Sequence, residues 1–178
     1  RQAGRRVLVV GAGGIALDAA EYLTQEGVDD AASFMVAWGI DPDGSVAGGL
    51  GVPREAVGND HRHVLMLQRG AGKPGRALGR TTGWIKRRML ERRGVKILTN
   101  AVVESLDDAG VRIRVDGVIH RWDADTVVLC TGQTASDDLS ASLKAMGTLV
   151  SVIGGALDSE GIDAERAIRQ GMHLGSTL

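Results

Sequence analysis

A glycine-rich turn near the start of the sequence has the residue types and spacing that bind phosphate. The apolar run Val7–Val10 leads into Gly11-Ala12-Gly13-Gly14-Ile15-Ala16, after which apolar residues recur at helical spacing. In the pattern G-x-G-x-x-A, the first glycine permits a tight turn, the second lets backbone approach a pyrophosphate, and the alanine lets helix and strand pack closely. The start of the helix adds unpaired N–H groups and a positive dipole. We therefore predict a dinucleotide-binding turn whose contacts are Gly11, Ala12, Gly13, Gly14 and Ile15.

A second apolar run, 63–68, predicts the strand whose end selects between the two nicotinamide cofactors. An acidic residue at this end binds the ribose 2′-hydroxyl of NAD, whereas a basic residue accommodates the 2′-phosphate of NADP. The chain has Gln68-Arg69-Gly70 here, followed by Lys73 and Arg76. Charge complementarity favours NADP, with Arg69 and Lys73 as phosphate-binding residues. The alternative is a solvated basic loop.

The elements around these motifs predict an α/β protein of the Rossmann-like class, with three layers, a parallel sheet and a β-meander. Hydrophobic periodicity and turn residues place the elements along the chain. Helices are expected at 14–26, near Phe34, from Thr81-Thr82-Gly83 to Gly94 with Trp84, Ile85, Met89 and Leu90 on one face, near Leu143 and over 162–174. Strands are expected at 7–10, 63–68, 95–98, 101–106, 111–115, 118–122, 126–130 and 149–153.

The segment 27–62 is too long for an ordinary connection between a helix and a strand. Its turn residues include Trp38-Gly39-Ile40-Asp41-Pro42 and Gly48-Gly49-Leu50-Gly51. Two interpretations stay open: a surface excursion with one short helix, or a lid or interdomain contact.

Composition narrows the possible functions. A formal net charge of -1 argues against nucleic acid as a partner, and apolar runs shorter than the ~20 residues of a membrane span argue against membrane insertion. The basic residues after Trp84 are expected to form a solvated face that raises the local positive potential. The one cysteine, Cys130, is expected to be a buried structural thiol in a cytoplasmic protein.

Catalytic side chains of other enzyme classes are not apparent. Tyr22, expected near the core, is the single tyrosine and has no lysine at dehydrogenase spacing, while His61, His63, His120 and His173 lack a shared metal-ligand spacing. We therefore predict no catalytic residue and no metal site, and expect the chain to be a piece of a longer protein.

Several motifs together resemble the C-terminal region of bacterial NADPH-dependent 2,4-dienoyl-CoA reductases, flavoproteins related to old yellow enzyme. These are the glycine turn with Leu17-Asp18, Trp38-Gly39-Ile40-Asp41, Gly79-Arg80-Thr81-Thr82-Gly83-Trp84-Ile85, Cys130-Thr131-Gly132-Gln133, Ile153-Gly154-Gly155 and Asp163-Ala164-Glu165-Arg166-Ala167-Ile168. In that family a TIM barrel carries FMN, a cysteine cluster carries 4Fe–4S, and a split FAD domain surrounds an NADP domain. Electrons pass from NADPH through FAD, the cluster and FMN to the dienoyl-CoA of fatty acid metabolism.

The resemblance implies an NADP(H)-binding domain at 1–132, with 27–62 inserted, and a returning FAD-domain segment at 133–178. Thr131, Gly132 and Gln133 would lie between the two dinucleotides, and Gly154 and Gly155 would approach FAD. Related flavoproteins usually have an acidic residue soon after the second glycine, where it holds the ribityl chain of FAD. Here Ala156 and Leu157 come before Asp158, so the chain departs from this pattern. FMN and 4Fe–4S would belong to the parent protein, whose FAD half and barrel are the expected partners. The isolated chain is expected to be inactive, and the alternative is a regulatory NAD(P)-sensing domain without catalysis.

Overall fold

The computed structural model describes residues 2–25, 30–51, 62–76, 78–79, 81–108 and 110–178. The chain forms two compact units, residues 1–130 and 131–178. The change of unit therefore lies two residues before the expected domain boundary at 132.

A parallel sheet forms the centre of the first unit, with strand order β3-β2-β1-β7. Its strands are β1 (Arg6–Val10), β2 (His63–Leu67), β3 (Lys96–Leu98) and β7 (Thr126–Leu129). Val10 pairs with both Leu67 and Leu129, so the carboxyl ends of the three neighbouring strands meet at one edge. In parallel α/β sheets this edge is where ligands bind.

Alternating residues of β1 serve two cores, one on each face of the sheet. Val7 and Val9 pack against helices α1 (Gly14–Leu23) and α3 (Gly83–Arg92). Leu8 packs in the other core with Val111 and Ile113 of a β-meander. Side chains that alternate in this way are typical of a strand covered on both faces. The predicted three-layer α/β fold is thus confirmed.

The meander consists of β4 (Ala101–Asp107), β5 (Gly110–Val115) and β6 (Val118–Trp122), all antiparallel. Asp116 and Gly117 link the last two strands with φ of 47° and 86°. Two successive positive φ values suit a two-residue hairpin turn that follows the strand twist. The Asp-Gly pair between the predicted strands 111–115 and 118–122 therefore forms a hairpin turn.

Within the inserted segment, helix α2 (Ala31–Trp38) confirms the expected short helix. Asp30 caps it by accepting the N–H of Ser33 at 2.7 Å, and Gly39 ends it in a left-handed conformation. Helix α1 ends at Leu23, three residues before its predicted end at 26. Residues 26–29 and 52–61 lie outside the described part of the chain, and so do the expectations for His61.

Helical periodicity assigned several side chains to the core wrongly. Tyr22, expected near the core, is 78% exposed, because the buried face of α1 is formed by Ala16, Leu17, Ala20 and Leu23. On α3, Trp84 and Ile85 face solvent while Leu90 is fully buried. Thr82 precedes α3, but its hydroxyl does not cap the helix.

The second unit contains helices α4 (Ser140–Ala145) and α5 (Ala164–Thr177) and a short 3-10 turn at Gly154–Ala156. The strand predicted at 149–153 is wrong. A strand needs a neighbour for its backbone hydrogen bonds, and residues 131–178, all of which are described, contain no strand. Leu149 is accordingly 87% exposed. Among the described residues, no helix is both long enough and apolar enough to cross a membrane.

Candidate dinucleotide-binding site

The glycine turn lies where the sheet strands end. The N–H of Gly11 donates to Leu67 O at 2.9 Å, and the N–H of Cys130 donates to Val10 O at 2.8 Å. Gly11 has φ of 126°, and a Cβ there would overlap the carbonyl oxygen of Cys130. Only glycine fits this crowded position. The glycine that the motif has here is therefore required by the backbone of Cys130, which lies beside the turn.

The residues that follow leave room for a ligand. A Cβ at Gly13 would meet nothing within 4 Å, and no side chain caps the start of α1, where Gly13 is the N-cap. An open, uncapped helix N-terminus suits a pyrophosphate, which accepts hydrogen bonds from backbone N–H groups and is stabilised by the helix dipole. The residues present therefore fit the phosphates of a dinucleotide.

The loop after β2 is tied to this turn. Gln68 Nε2 donates to Gly70 O at 3.0 Å and also to Gly72 O. The N–H of Gly75 donates to Ala12 O at 2.9 Å, and Arg87 Nη1 donates to Pro74 O at 3.2 Å. Both ends of the loop are thus fixed beside the phosphate-binding turn.

Three exposed cations lie on this loop: Arg69, Lys73 and Arg76. None of them forms an ion pair or a side-chain hydrogen bond with any residue that the structure describes. Cations held near a dinucleotide turn without a carboxylate partner can bind phosphate oxygens. The structure thus brings the predicted Arg69 and Lys73 to the same edge of the sheet as Gly11.

The basic residues of α3 differ from the expected solvated face, because they bond to the protein itself. Lys86 pairs with Asp18 and with Glu21, the latter at 3.0 Å, which joins α3 to α1. Arg88 pairs with Glu91 at 3.2 Å, while Arg92 and Arg93 donate to the carbonyls of Ala37 and Glu21. Lys86, Arg92 and Arg93 thus link this region to α1 and α2, whereas the Arg88–Glu91 pair lies within α3.

In the second unit, a cavity of about 700 Å³ brings together predicted residues from distant parts of the sequence. It is lined by Thr131, Gly132, Gln133, Thr134, Ser136, Gly155, Ala156, Ser159 and Ile162. A Cβ at Gly132 or Gly155 would meet nothing within 4 Å, so both glycines leave space in the cavity. Its volume lies within the range of cofactor pockets, which fits part of a dinucleotide such as FAD.

Hydrogen bonds from α5 and from the segment before it fix the backbone around this cavity. Gln170 Oε1 accepts the N–H of Gly154 at 2.7 Å, and Ser159 Oγ donates to Gln133 O at 2.8 Å. Arg166 Nη1 donates to Glu160 O at 2.7 Å and to Asp158 Oδ2 at 3.2 Å. The Asp158 carboxylate is therefore engaged within its own segment, at the position where the family pattern already departed.

Cys130 and the histidines of the described residues do not form a metal-ligating group. Strand β7 ends before Cys130, whose half-buried thiol has its pKa raised by desolvation, so it is protonated near neutral pH. The described residues include no group of three or more metal-ligating side chains.

Several residues that build the site carried only a weak signal in the sequence, or none. Pro74-Gly75 signals a turn, but not its hydrogen bond to Ala12. Gln68, Arg166 and Gln170 are ordinary polar residues, and their roles depend on contacts made by the folded chain.

Comparison with known proteins identifies the class that these features define. Residues 1–157 match the family described as pyridine nucleotide-disulphide oxidoreductase. The chain belongs to this family, whose members bind FAD and NAD(P)H. It is accordingly an α/β domain of a family of flavin-dependent oxidoreductases.

Individual relatives are similar at low sequence identity. A metal reductase of Desulforamulus reducens is 25% identical over 158 residues, which cover 88% of this chain and 22% of that protein. The structure of a 2-naphthoyl-CoA reductase is similar with a TM-score of 0.67 at 21% identity, covering 100% of this chain and 22% of that chain. Bacillithiol disulfide reductase of Bacillus cereus has a TM-score of 0.57 at 16% identity, with coverage of 97% and 49%. The chain therefore spans about a fifth of the length of the first two.

Proposed function

We propose that this chain is the NADPH-docking, electron-entry part of a larger flavoenzyme similar to 2,4-dienoyl-CoA reductase. The proposal rests mainly on one observation: the basic loop after β2 is hydrogen-bonded to the open glycine turn. Gly75 ties the loop to the turn through its hydrogen bond to Ala12 O, and Arg69 and Lys73 are exposed without carboxylate partners in the described chain.

The preference for NADPH follows from the charges at the end of β2. The 2′-phosphate distinguishes NADPH from NADH, and guanidinium and ammonium groups bind phosphate through charge-assisted hydrogen bonds. Arg69 and Lys73 would hold that phosphate, while Gly11, Ala12, Gly13, Gly14 and Ile15 would hold the pyrophosphate. The regulatory alternative, an NAD(P) sensor, would use the same turn but needs no flavin-binding segment.

The contribution of the chain to the reaction is orientation. A bound nicotinamide supplies the hydride and a flavin accepts it. None of the side chains lining the cavity of the second unit is ionisable, so this wall can bind and position without donating protons. Thr131, Gly132, Gln133, Gly154 and Gly155 would serve the flavin side, as the resemblance implies.

The substrate of the whole enzyme would be an unsaturated CoA thioester. The motifs that resemble dienoyl-CoA reductases support this class, and one structurally similar protein is named as a reductase of 2-naphthoyl-CoA. FMN, the 4Fe–4S cluster and the acid–base groups would reside elsewhere in the parent, in a TIM barrel. We also propose that the protein is cytosolic, as its single cysteine led us to expect.

The remainder of the parent would also cover the second unit. Apolar side chains there are widely exposed, including Leu139, Met146, Leu149, Ile168 and Met172. Burial of such residues contributes ~25 cal/mol per Å² of apolar surface removed from water. A FAD-binding half that docks on them would stabilise this unit.

Isothermal titration of the chain with NADPH and NADH tests the cofactor assignment. We expect measurable binding of NADPH and binding of NADH at least about tenfold weaker, since tenfold corresponds to about 1.4 kcal/mol. Equal affinities would overturn the NADPH assignment, and absence of binding to both would overturn the docking function.

Arg69→Ala provides a sharper test within the same assay. Loss of one hydrogen bond to a charged group, worth roughly 1.5–3 kcal/mol, should raise the Kd for NADPH about tenfold or more. The Kd for NADH should stay the same, because NADH lacks the 2′-phosphate. Arg112→Ala, an exposed arginine on the meander, is the matched control.

A further inference from the structure

Gln68 occupies the first position after β2, where NAD-binding domains of this class have an acid. Its backbone belongs to the sheet edge, since its N–H donates to Leu98 O at 2.8 Å and its carbonyl accepts from Ala101 N at 3.0 Å. The side chain instead turns into the loop that follows it. Gln68 therefore joins the end of the strand to the basic loop.

The side-chain amide is used entirely as a donor. Both partners of Nε2, the oxygens of Gly70 and Gly72, are carbonyls and can only accept, which fixes the amide orientation. A glutamate of the same size has no N–H to offer and would place a negative charge among Arg69, Lys73 and Arg76. An amide at this position thus orders the loop and avoids repulsion of a phosphate.

Two further hydrogen bonds act at the far end of the loop. Gly75 bonds to Ala12 O and Pro74 O accepts from Arg87. In residues 69–73, the Gln68 amide donates to Gly70 O and Gly72 O, and the N–H of Asn100 also donates to Gly70 O at 3.3 Å. Arg69 follows Gln68 directly, and Lys73 follows its second partner, Gly72. Loss of the amide would remove the tie to Gly72, next to Lys73, and one of the two ties to Gly70, next to Arg69. Both cations would then sample more positions, which binding would have to restrict.

We propose that Gln68 is a positioning residue that sets the preference for a nucleotide bearing a 2′-phosphate, by holding Arg69 and Lys73 in place. This inference rests on the proposed NADPH-docking function. Gln68 makes no contact with the phosphate in this proposal and acts through the two cations.

Titration calorimetry of the whole chain with 2′,5′-ADP and with 5′-ADP tests the proposal. Gln68→Met keeps the size and removes both donors, so the Kd for 2′,5′-ADP should rise roughly fivefold to tenfold, as expected for two modest hydrogen bonds. Gln68→Glu should raise it further, because a charge is added. The Kd for 5′-ADP should change less than about twofold in both variants. The matched control is Gln2→Glu, the same charge change at an exposed residue before the amino end of β1.

A double-mutant cycle separates positioning from a general structural effect. In the Arg69→Ala background, Gln68→Met should cost clearly less than in the wild type, since one of the cations it positions is gone. Unchanged discrimination in Gln68→Met, or full additivity with Arg69→Ala, would overturn the inference. If the wild-type chain itself fails to distinguish the two nucleotides, the NADPH assignment fails instead. Thermal melts of each variant verify that the fold is intact.

Discussion

At the scale of single residues, Gly11 and Gly13 of the glycine turn have different roles. Gly11 is glycine because the carbonyl of Cys130, the residue after β7, lies against it, whereas a Cβ at Gly13 would point into open space. The first therefore serves the fold and the second leaves room for the ligand. Sequence motifs group these residues together, and the packing around each one separates their roles.

Alanine substitutions should separate fold from binding. Gly11→Ala places a Cβ on the Cys130 carbonyl at a φ that disfavours side chains, and should lower the free energy of unfolding by roughly 1–3 kcal/mol. Gly13→Ala should leave stability nearly unchanged while raising the Kd for NADPH about tenfold, or about 1.4 kcal/mol. Urea unfolding and calorimetry measure the two effects. Equal destabilisation by both substitutions would contradict this division of roles.

A second feature at this scale is the ion pair between Arg6 of β1 and Asp125, the residue before β7. Asp125 accepts from Arg6 Nη2 at 2.7 Å and from the Arg6 backbone N–H at 2.9 Å. These contacts with Arg6, first the side-chain hydrogen bonds, lower the pKa of the Asp125 carboxyl. A carboxyl with a lowered folded-state pKa contributes stability above its unfolded pKa of about 3.9, and loses it as the pH falls through the folded value.

Asp125→Asn should therefore be less stable than the wild type at neutral pH. The difference should shrink as the pH falls below about 4, since the wild-type carboxyl becomes neutral as well. Arg6→Met should behave in the same way, because it removes the cation that lowers the pKa. Thermal melting between neutral and acidic pH measures this, and a gap that stays constant with pH would refute the role of Arg6.

At the scale of elements, α1 and α3 share one buried seam over the sheet. Leu90 is fully buried and packs in the same core as Ala16, Ala20 and Val9, and the pairing of Lys86 with Glu21 lies at the edge of the seam. Exposed ion pairs contribute little, so burial holds the two helices together. The position of the glycine turn at the start of α1 depends on this packing.

Leu90→Ala should lower the free energy of unfolding by roughly 2–4 kcal/mol through a cavity between the helices and the sheet. Leu106→Ala makes the same chemical change on the meander, where the side chain is 54% exposed, and should cost less than about 1 kcal/mol. Chemical denaturation of both variants provides the measurement. Similar losses would show that the helix seam is not the dominant core.

At the scale of the whole molecule, the two units differ in how much they bury. Both hydrophobic cores consist of residues from the first unit. In the second unit, described throughout, Ser140 is the only buried residue. The first unit has the interior of a folded domain, and the second depends mainly on local hydrogen bonds such as those of Arg166 and Gln170.

Native-state hydrogen exchange should reflect this difference. Amides of β1, β2 and β7 are expected to exchange near the rate set by global unfolding, whereas those of α4 and α5 should exchange much faster because local opening exposes little apolar surface. Mass spectrometry of peptides from the two units measures the contrast. Protection of α5 equal to that of β1 would contradict it.

The sequence by itself determined the fold class and the principal glycine turn. Runs of β-forming residues, helical periodicity and the Asp116-Gly117 turn act locally, so the parallel strands, the meander and most helices were predictable close to their bounds. The same local signals failed for residues 149–153, whose apolar character suits a strand but whose folded surroundings provide no partner. Tyr22 and Trp84 were misassigned because hydrophobicity alone does not tell which face of a helix meets the sheet.

Tertiary structure alone decided how the phosphate-binding turn and the basic loop are joined. The hydrogen bond from Gly75 to Ala12 links residues far apart in sequence, and it exists only once α1 and the loop are packed on the same sheet edge. The cavity in the second unit likewise brings Gln133 together with Gly155 and Ser159. Motifs specify which chemical groups are present, whereas long-range packing specifies their distances, and binding depends on those distances.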